Sequence, residues 1–511
     1  RSTASMKVPM RLTRSSSYAP SPPVVATRVC CGFQPRAQED SVKNSKALAL
    51  AGGLVACAAL AAAQEERSGK VAEVYAERCS ACHGAKLQGG QSKSLLDDEW
   101  KYGGDDASLT ASIRDGRVDA GMPPFGSMMS QQEIRALVIF IREKADAARR
   151  ASTVFAKPQG DAVVKSEQHA FRVETVAEGL DTPWSLAFLP DGRMLVTEKP
   201  GRLRIVEKGK PSEPVFGVPA VWPEGQGGLL DVAAHPDYAT NGWIYLSYSH
   251  PGPDASAMTR VMRARLKGDR LVDQETLFAP PVELYRSGTV HFGSRFVFDG
   301  KGYLFFTIGE RGQKDDAQDL ARPNGKVHRI RDDGRVPEDN PFVKTAGALP
   351  TIWSYGHRNP QGLAQHPVTG ELWDAEHGPR GGDELNLVRP GRNYGWPVIT
   401  YGMNYDGTPM ADSTAKEGME QPVLYWTPSI AVCAIDFYVG DRFPRWRNDL
   451  LVSSLAAEEL RRVRIESGRV AKQEVLFKGI GRIRDVVVGP DGLVYVAFNV
   501  PDRVARLVPV P

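Results

Sequence analysis

Cysteine is scarce in this 511-residue chain, and its absences exclude several classes of protein before any motif is considered. Of six cysteines, Cys30, Cys31 and Cys57 lie near the start, Cys79 and Cys82 stand together, and only Cys433 follows. So sparse a set builds no disulfide framework. A structural zinc needs four ligands, and neither a second cysteine pair nor a His-x-x-x-His segment follows Cys82. Cys433 reads as a buried small hydrophobe. Charge of one sign is also lacking. Lysine plus arginine (64) nearly balances aspartate plus glutamate (61), so there is no basic footprint for nucleic acid.

Long apolar runs are missing as well. The stretch 46–63 is too short and too alanine-rich for a transmembrane span. It has the basic start, apolar middle and small-residue end of a secretory signal cleaved near Ala63, which predicts a periplasmic or secreted protein. Leu54-Val55-Ala56-Cys57 also resembles a lipoprotein signal, and membrane association is expected only if Cys57 is lipidated. Ordinary cleavage is preferred, because apolar residues continue past Cys57. Residues 1–38 carry six basic residues and no acidic one. They read either as a transit peptide or as sequence upstream of a signal beginning near Val42, and the second account is preferred.

What is present at 79–83 is Cys-Ser-Ala-Cys-His, the attachment pattern of a c-type haem. Two thiols separated by two residues can each add to one vinyl group, and His83 then becomes the proximal iron ligand. A second axial ligand is expected some tens of residues later. Met122 supplies it from the Pro-rich loop Gly121–Gly126, which cannot be helical. Met128 and Met129 are read as core residues at the start of the next helix. Ser130 and Glu133 form the ends of a capping box for that helix, whose apolar positions are Ile134, Leu137, Val138 and Ile141. Residues 64–149 thus look like a small all-α class I cytochrome c domain.

After a polar linker (150–166), one pattern recurs six times: apolar strand, tight turn, apolar strand. Copies begin at Leu186, Asp231, Ser294, Gly362, Ala434 and Asp485, several with Asp-Gly at the turn. Six such units predict an all-β six-bladed propeller over residues 167–511, with ligand-binding loops gathered at one end of its channel.

Over about Ala170 to Pro511 the sequence resembles the soluble quinoprotein glucose and aldose-sugar dehydrogenases, which use pyrroloquinoline quinone (PQQ). The resemblance is carried, in order, by GQGGLLDVAAHPDY, HFGSRFVFDGKGYLFFTIGERG, YGHRNPQGLA, EHGPRGGDELNLVRPGRNYGWP and GRIRDVVVGPDG. It implies His291 as the general base that takes the sugar C1 hydroxyl proton, a task suited to an imidazole. Glu310 stands where the family commonly has an aspartate orienting that histidine. Arg358, Arg482 and Arg484 match arginines that pair PQQ carboxylates, with Gln226 and Asn359 as polar contacts and Trp426 at the site's edge. Gly378 and Pro379 match carbonyls that hold a calcium ion on PQQ, with Asp383 in the same loop. Glu384 and Tyr394 match a second calcium site. His377 replaces a glutamine of the glucose-oxidising members, and the stretch SSLAAEEL lacks their lysine, which points toward the aldose-sugar branch.

The combined expectation is an exported quinohaemoprotein with haem c, PQQ and Ca2+. It oxidises an aldose or related alcohol and delivers electrons through its own haem to an external cytochrome or terminal oxidase. Two alternatives stay open: a carbohydrate-binding or interaction propeller without PQQ attached to an electron-carrying cytochrome, and a PQQ dehydrogenase for a non-sugar alcohol or hydroxyaldehyde.

Overall fold

A computed structural model describes residues 69–97, 99–152, 158 and 160–510. The N-terminal extension, the signal with Cys57 and much of the linker lie outside the described residues.

The first part of the described chain is helical: α1 (Gly69–Arg78), α2 (Ser80–His83), α3 (Asp106–Asp115) and α4 (Gln131–Ser152). Local signals explain the helix starts. The Asp105 carboxylate accepts from the Ser108 N–H (2.8 Å) at the head of α3. At α4 the capping box closes both ways, Glu133 N–H to Ser130 Oγ (3.2 Å) and Ser130 N–H to Glu133 Oε2 (2.8 Å). Helix α1 crosses α4 where Tyr75 meets Phe140, with ring centroids 5.5 Å apart. Ile134, Leu137, Val138 and Ile141 are buried there. Met129 joins this core, but Met128 does not: it is 54% exposed, because its place in the turn after Phe125 directs it outward.

The rest is six antiparallel sheets. Blade 1 is 183–188, 194–198, 202–207 and 210–211; blade 2 runs over 229–278, blade 3 over 296–355, blade 4 over 360–426 and blade 5 over 432–478. Blade 6 takes its three inner strands from 482–488, 494–499 and 503–510, and its outer strands from 170–177 and 164–165. The ring is therefore closed by pairing the start of the propeller with its end, Ala170 opposite Val510 and Val173 opposite Leu507. Each blade begins with its innermost strand, and each of the six repeats read from sequence supplies the two innermost strands of one blade.

Alternation places the core between blades rather than within them. In 194–198, Leu195 joins the apolar cluster shared with blade 2, whereas Met194 and Val196 join the cluster shared with blade 6. Four further clusters of this kind complete the circuit, so there is one for each gap. Both faces of every blade are covered, which is why these strands read as nearly continuous apolar runs.

At the axis the chemistry changes. The innermost strands bring Ser185, Asp231, Arg295, Gln361, Cys433 and Asp485 together, one from each blade. Arg295 ties this ring: it bonds Asp485 (2.9 Å) and Asp231 (3.3 Å), donates to the Gln361 carbonyl (3.1 Å), and lies 4.4 Å from the Trp184 ring. Asp231 also accepts from Ser185 Oγ and from the Phe296 N–H, and Asp485 from the Leu186 N–H (2.7 Å). Burial raises both carboxyl pKa values, Asp485 to about 6, against the pull of Arg295.

Replacing Arg295 by Met should therefore strand two buried carboxylates and cost about 3–5 kcal/mol of stability. Denaturant unfolding of the variant measures this, and a loss below about 1 kcal/mol would show that the axial ion group is dispensable.

Candidate active site and haem site

Beside the axial ring, the loops leading into the innermost strands assemble a polar cleft. His291 precedes the first strand of blade 3 and has a left-handed backbone, φ 56°, as do Ser294 (93°) and Arg311 (60°). A side chain with a Cβ is strained there, and such strain persists only where the surroundings over-determine it. Those surroundings are specific. The His291 N–H donates to Gln226 Oε1 (2.7 Å), the His291 carbonyl accepts from the Arg311 N–H (3.3 Å), and the ring Nδ1 bonds Glu310 Oε1. Glu310 is buried, and its N–H donates to the Arg358 carbonyl (2.9 Å). Arg311 lies 3.4 Å from the Phe292 ring centroid and donates to the Gly288 carbonyl (2.8 Å), which fixes the segment 288–292.

With Nδ1 committed to Glu310, Nε2 is the ring atom that remains to act as a base. Burial lowers the His291 pKa, although Glu310 pulls the other way, so the imidazole is neutral at neutral pH.

Blade 4 supplies the facing wall. Arg358 Nη1 donates to the carbonyls of Gly378 (2.7 Å) and His377 (3.1 Å), and its guanidinium lies 5.2 Å from the Trp396 ring. Asn359 Oδ1 accepts from the Gly293 N–H (3.2 Å), and Asn359 Nδ2 lies 3.4 Å from His377 Nδ1. His377 is held neutral, its pKa driven down to about 3 by burial and by Arg484, Arg358 and His291. From blade 6, Arg484 Nη1 donates to Gln361 Oε1 (3.1 Å) and lies 5.7 Å from the Trp184 ring, while Arg482 stands exposed two residues earlier. Burial and Arg484 also lower the pKa of Lys199.

The structure therefore brings His291, Glu310, Gln226, Arg358, Asn359 and Arg484 into one connected group, with Arg482 beside it. Trp426 is elsewhere. It packs in the apolar core between blades 4 and 5 and donates from Nε1 to Gln473 (3.0 Å), because its strand is the outermost of blade 4. The aromatic surfaces at the cleft are Trp184 and Trp396 instead. Together with Gln361 and Cys433, they were missed from sequence, although Trp184 immediately precedes the axial position of the first repeat.

A planar polycarboxylate fits this donor set. Among the described residues, Arg358, Arg482 and Arg484 form no ion pair, and Arg358 Nε, Arg484 Nε and His377 Nε2 are buried without a hydrogen-bond partner. Unpaired guanidiniums flanked by ring faces call for an anion with flat surfaces. A calcium ion at Gly378 and Pro379 fits less well. The Gly378 carbonyl accepts from Arg358, and that of Pro379 from Ser429 Oγ (3.1 Å) and the Gly382 N–H (3.1 Å). Asp383 is likewise committed, to the N–H groups of Gly378 (3.1 Å) and Val432 (3.2 Å). Glu384 and Tyr394 flank a separate buried group, His357, Asp374 and Glu376, whose ligand atoms lie within 4.8 Å of one another. Tyr394 stacks on His357 (4.5 Å) and gives its hydroxyl to the Leu387 carbonyl (2.6 Å).

In the helical domain, Cys79 and Cys82 lie on either side of the start of α2 and are not paired in a disulfide. His83 Nδ1 lies 3.4 Å from the Lys93 carbonyl, leaving Nε2 for a metal. Cys79, Leu95, Leu96, Trp100, Met122 and Phe125 are only partly buried against the helical core. Val118 (71%) and Met128 (54%), near Met122 in the chain, are apolar and exposed. A porphyrin fits this uncovered apolar surface, with thiols, imidazole and thioether around it.

The sequence pattern of the family described as Glucose / Sorbosone dehydrogenase matches residues 180–506, and that described as Cytochrome C oxidase, cbb3-type, subunit III matches 67–141. The aldose sugar dehydrogenase YliI of Escherichia coli (strain K12) is 47% identical over 331 residues, 63% of this chain and 89% of that protein. The crystal structure of the soluble E. coli aldose sugar dehydrogenase in its apo form aligns with a TM-score of 0.63 at 44% identity, covering 66% of this chain and 100% of the other. The PQQ-bound form of an aldose sugar dehydrogenase from Streptomyces coelicolor aligns at 0.54 and 28% identity, covering 66% and 98%. Fold and matches together define a propeller oxidoreductase carrying a cytochrome c domain. The chain belongs to the glucose/sorbosone dehydrogenase family.

Because burial lowers the His291 pKa and Glu310 raises it, replacing Glu310 by Gln should move the titration of that imidazole to still lower pH. Histidine NMR of the parent should show it titrating below the ordinary value near 6.5, and an upward shift in the variant would contradict the assigned pairing.

Proposed function

We propose that this chain is an exported quinohaemoprotein that oxidises an aldose to its lactone at the propeller cleft and passes the electrons through its own haem to an external cytochrome or oxidase. The observation that carries this reading is the set of unpaired guanidiniums, Arg358, Arg482 and Arg484, beside a neutral, strained, carboxylate-paired His291. A binding module has no use for a buried base held at a cost in backbone strain.

In this reading Arg358, Arg482 and Arg484 hold the carboxylates of PQQ, and Asn359 and Gln226 border its ring. Bound there, PQQ supplies a two-electron acceptor that no side chain can provide. His291 Nε2 takes the proton of the sugar C1 hydroxyl, and Glu310 keeps the ring oriented and stabilises the imidazolium that results. His377, neutral and buried, adds a polar wall without a competing charge. The oxidation removes two electrons and two protons from C1 and its hydroxyl. Gly378 and Pro379 are assigned no calcium ion, because their carbonyls are engaged by Arg358 and Ser429. Cys79, Cys82, His83 and Met122 are the residues that would hold a haem, which would supply a one-electron carrier.

The 47% identity to an aldose sugar dehydrogenase supports the aldose reading, and His377 in the cleft wall points the same way. The aldose class is the proposal; a hydroxyaldehyde is the second substrate to try, because the matching family pattern also carries sorbosone in its description.

Added PQQ should raise the melting temperature of the parent and support aldose-dependent dye reduction. Arg358→Ala combined with Arg484→Ala should abolish both effects while the propeller stays folded by circular dichroism. Aldose oxidation should fall on acidification with an apparent pKa below 6.5, since the base is active only when neutral and its pKa is lowered. PQQ that neither stabilises the parent nor supports dye reduction with any aldose or hydroxyaldehyde would sink the reading.

A further inference from the structure

The helical domain meets the propeller through a buried contact on the loop that walls the cleft. Arg135, Ile139 and Glu143 recur at four-residue spacing and so share one face of α4. Arg135 is 7% exposed. It donates to the Tyr401 carbonyl (2.9 Å), to Thr427 Oγ1 (2.6 Å) and to Asp106 of α3 (2.5 Å), and lies 5.2 Å from the Tyr425 ring. Ile139 is fully buried against Gly381, where a Cβ would come within 2.6 Å of its side chain. Glu143 forms a two-pronged pair with Arg380 (2.8 and 2.5 Å). Met403 of the blade 4 excursion completes the helical core, and the Lys70 N–H donates to the Asp406 carbonyl (3.1 Å).

Arginines this deeply buried, with bidentate pairing and satisfied donors, are features of a fixed interface rather than of a passing encounter. The position of the loop matters more than the strength of the contact. Within 378–382, Gly378 offers its carbonyl to Arg358 in the cleft, and Arg380 and Gly381 are already held by the helical domain.

We propose that the haem domain is docked rather than only tethered, and that Arg135, Glu143 and Arg380 are positioning residues holding it against the wall of the sugar-oxidising cleft. Electrons then cross from propeller to haem at one geometry. This rests on the proposed function. Each aldose releases two electrons and two protons. The electrons reduce ferric haem to ferrous one at a time, and an external one-electron acceptor reoxidises it after each. The hydroxyl proton leaves to water by way of His291, and the C1 hydrogen, which departs with the electron pair, is released as a proton when those electrons pass on.

The test uses the full holoprotein and three readouts. Dye reduction by aldose reports the propeller alone. The rate at which aldose reduces the haem reports transfer between domains. Hydrogen exchange of segments 135–143 and 379–382 reports the contact without any substrate. Glu143→Arg should leave dye reduction unchanged, speed exchange in both segments and slow haem reduction roughly tenfold or more, as expected when docking gives way to tethered encounter. Adding Arg380→Glu should restore both. Unchanged exchange and unchanged haem reduction in Glu143→Arg overturn the proposal, as does a double variant no better than the single one. A parent that reduces neither dye nor haem with aldose overturns the proposed function and with it the role of the contact.

Discussion

Everything functional in the propeller depends on how its axis is held together. Six innermost strands converge there, and their side chains would face one another across a narrow channel with little apolar surface to share. Arg295 settles the matter by reaching Asp231, Asp485, the Gln361 carbonyl and the Trp184 ring, so that four blades besides its own contact one buried cation. The pairing matters as much as the charge. An unpaired cation at this depth would cost several kcal/mol, whereas this one has two carboxylates and a ring face. Arg484 and Arg358 come from the same innermost strands or the loops leading into them, yet have no carboxylate. The contrast between paired Arg295 and unpaired Arg484, one residue from Asp485, separates structural charge from charge kept for a ligand.

The backbone around His291 follows the same logic. Three non-glycine residues in left-handed conformation flank the first hairpin of blade 3, His291 and Ser294 before it and Arg311 after it. Their strain is sustained by bonds on every side: Gln226 to the His291 N–H, Glu310 to its ring, and Arg311 to the carbonyls of the preceding turn. In the proposed role of base, an imidazole positioned this way does not need to reorganise when a hydroxyl approaches, which is the condition for effective proton abstraction.

Much of this could be read from sequence because repeats and short motifs are local. Apolar–turn–apolar units fix hairpins, and six of them fix a ring; Cys79, Cys82 and His83 fix a haem reading within five residues. The Ser130–Glu133 box marked the start of α4 because both partners lie within one turn. What could not be read was long-range. Trp426 sits in a motif-rich segment, but the register of an outermost strand turns it into the gap between blades. Trp184 reaches the axis only because the blades close on one another. The engagement of the Gly378 carbonyl by Arg358 depends on a loop shape that no spacing encodes. The contact of Arg135 with Tyr401 and Thr427 joins residues more than two hundred and fifty positions apart, and nothing in either segment announces the other.

The central claim is that one chain couples a two-electron oxidation on a propeller to a one-electron haem carrier. The direct measurement is an anaerobic titration of the PQQ-loaded holoprotein with a limiting aldose, following haem reduction by absorbance and lactone by chemical analysis. The account predicts that the haem is reduced by the sugar without added dye, and that each lactone formed corresponds to two electrons recovered on haem and PQQ together. Lactone formed with the haem remaining oxidised, or haem reduced with no lactone formed, would contradict it.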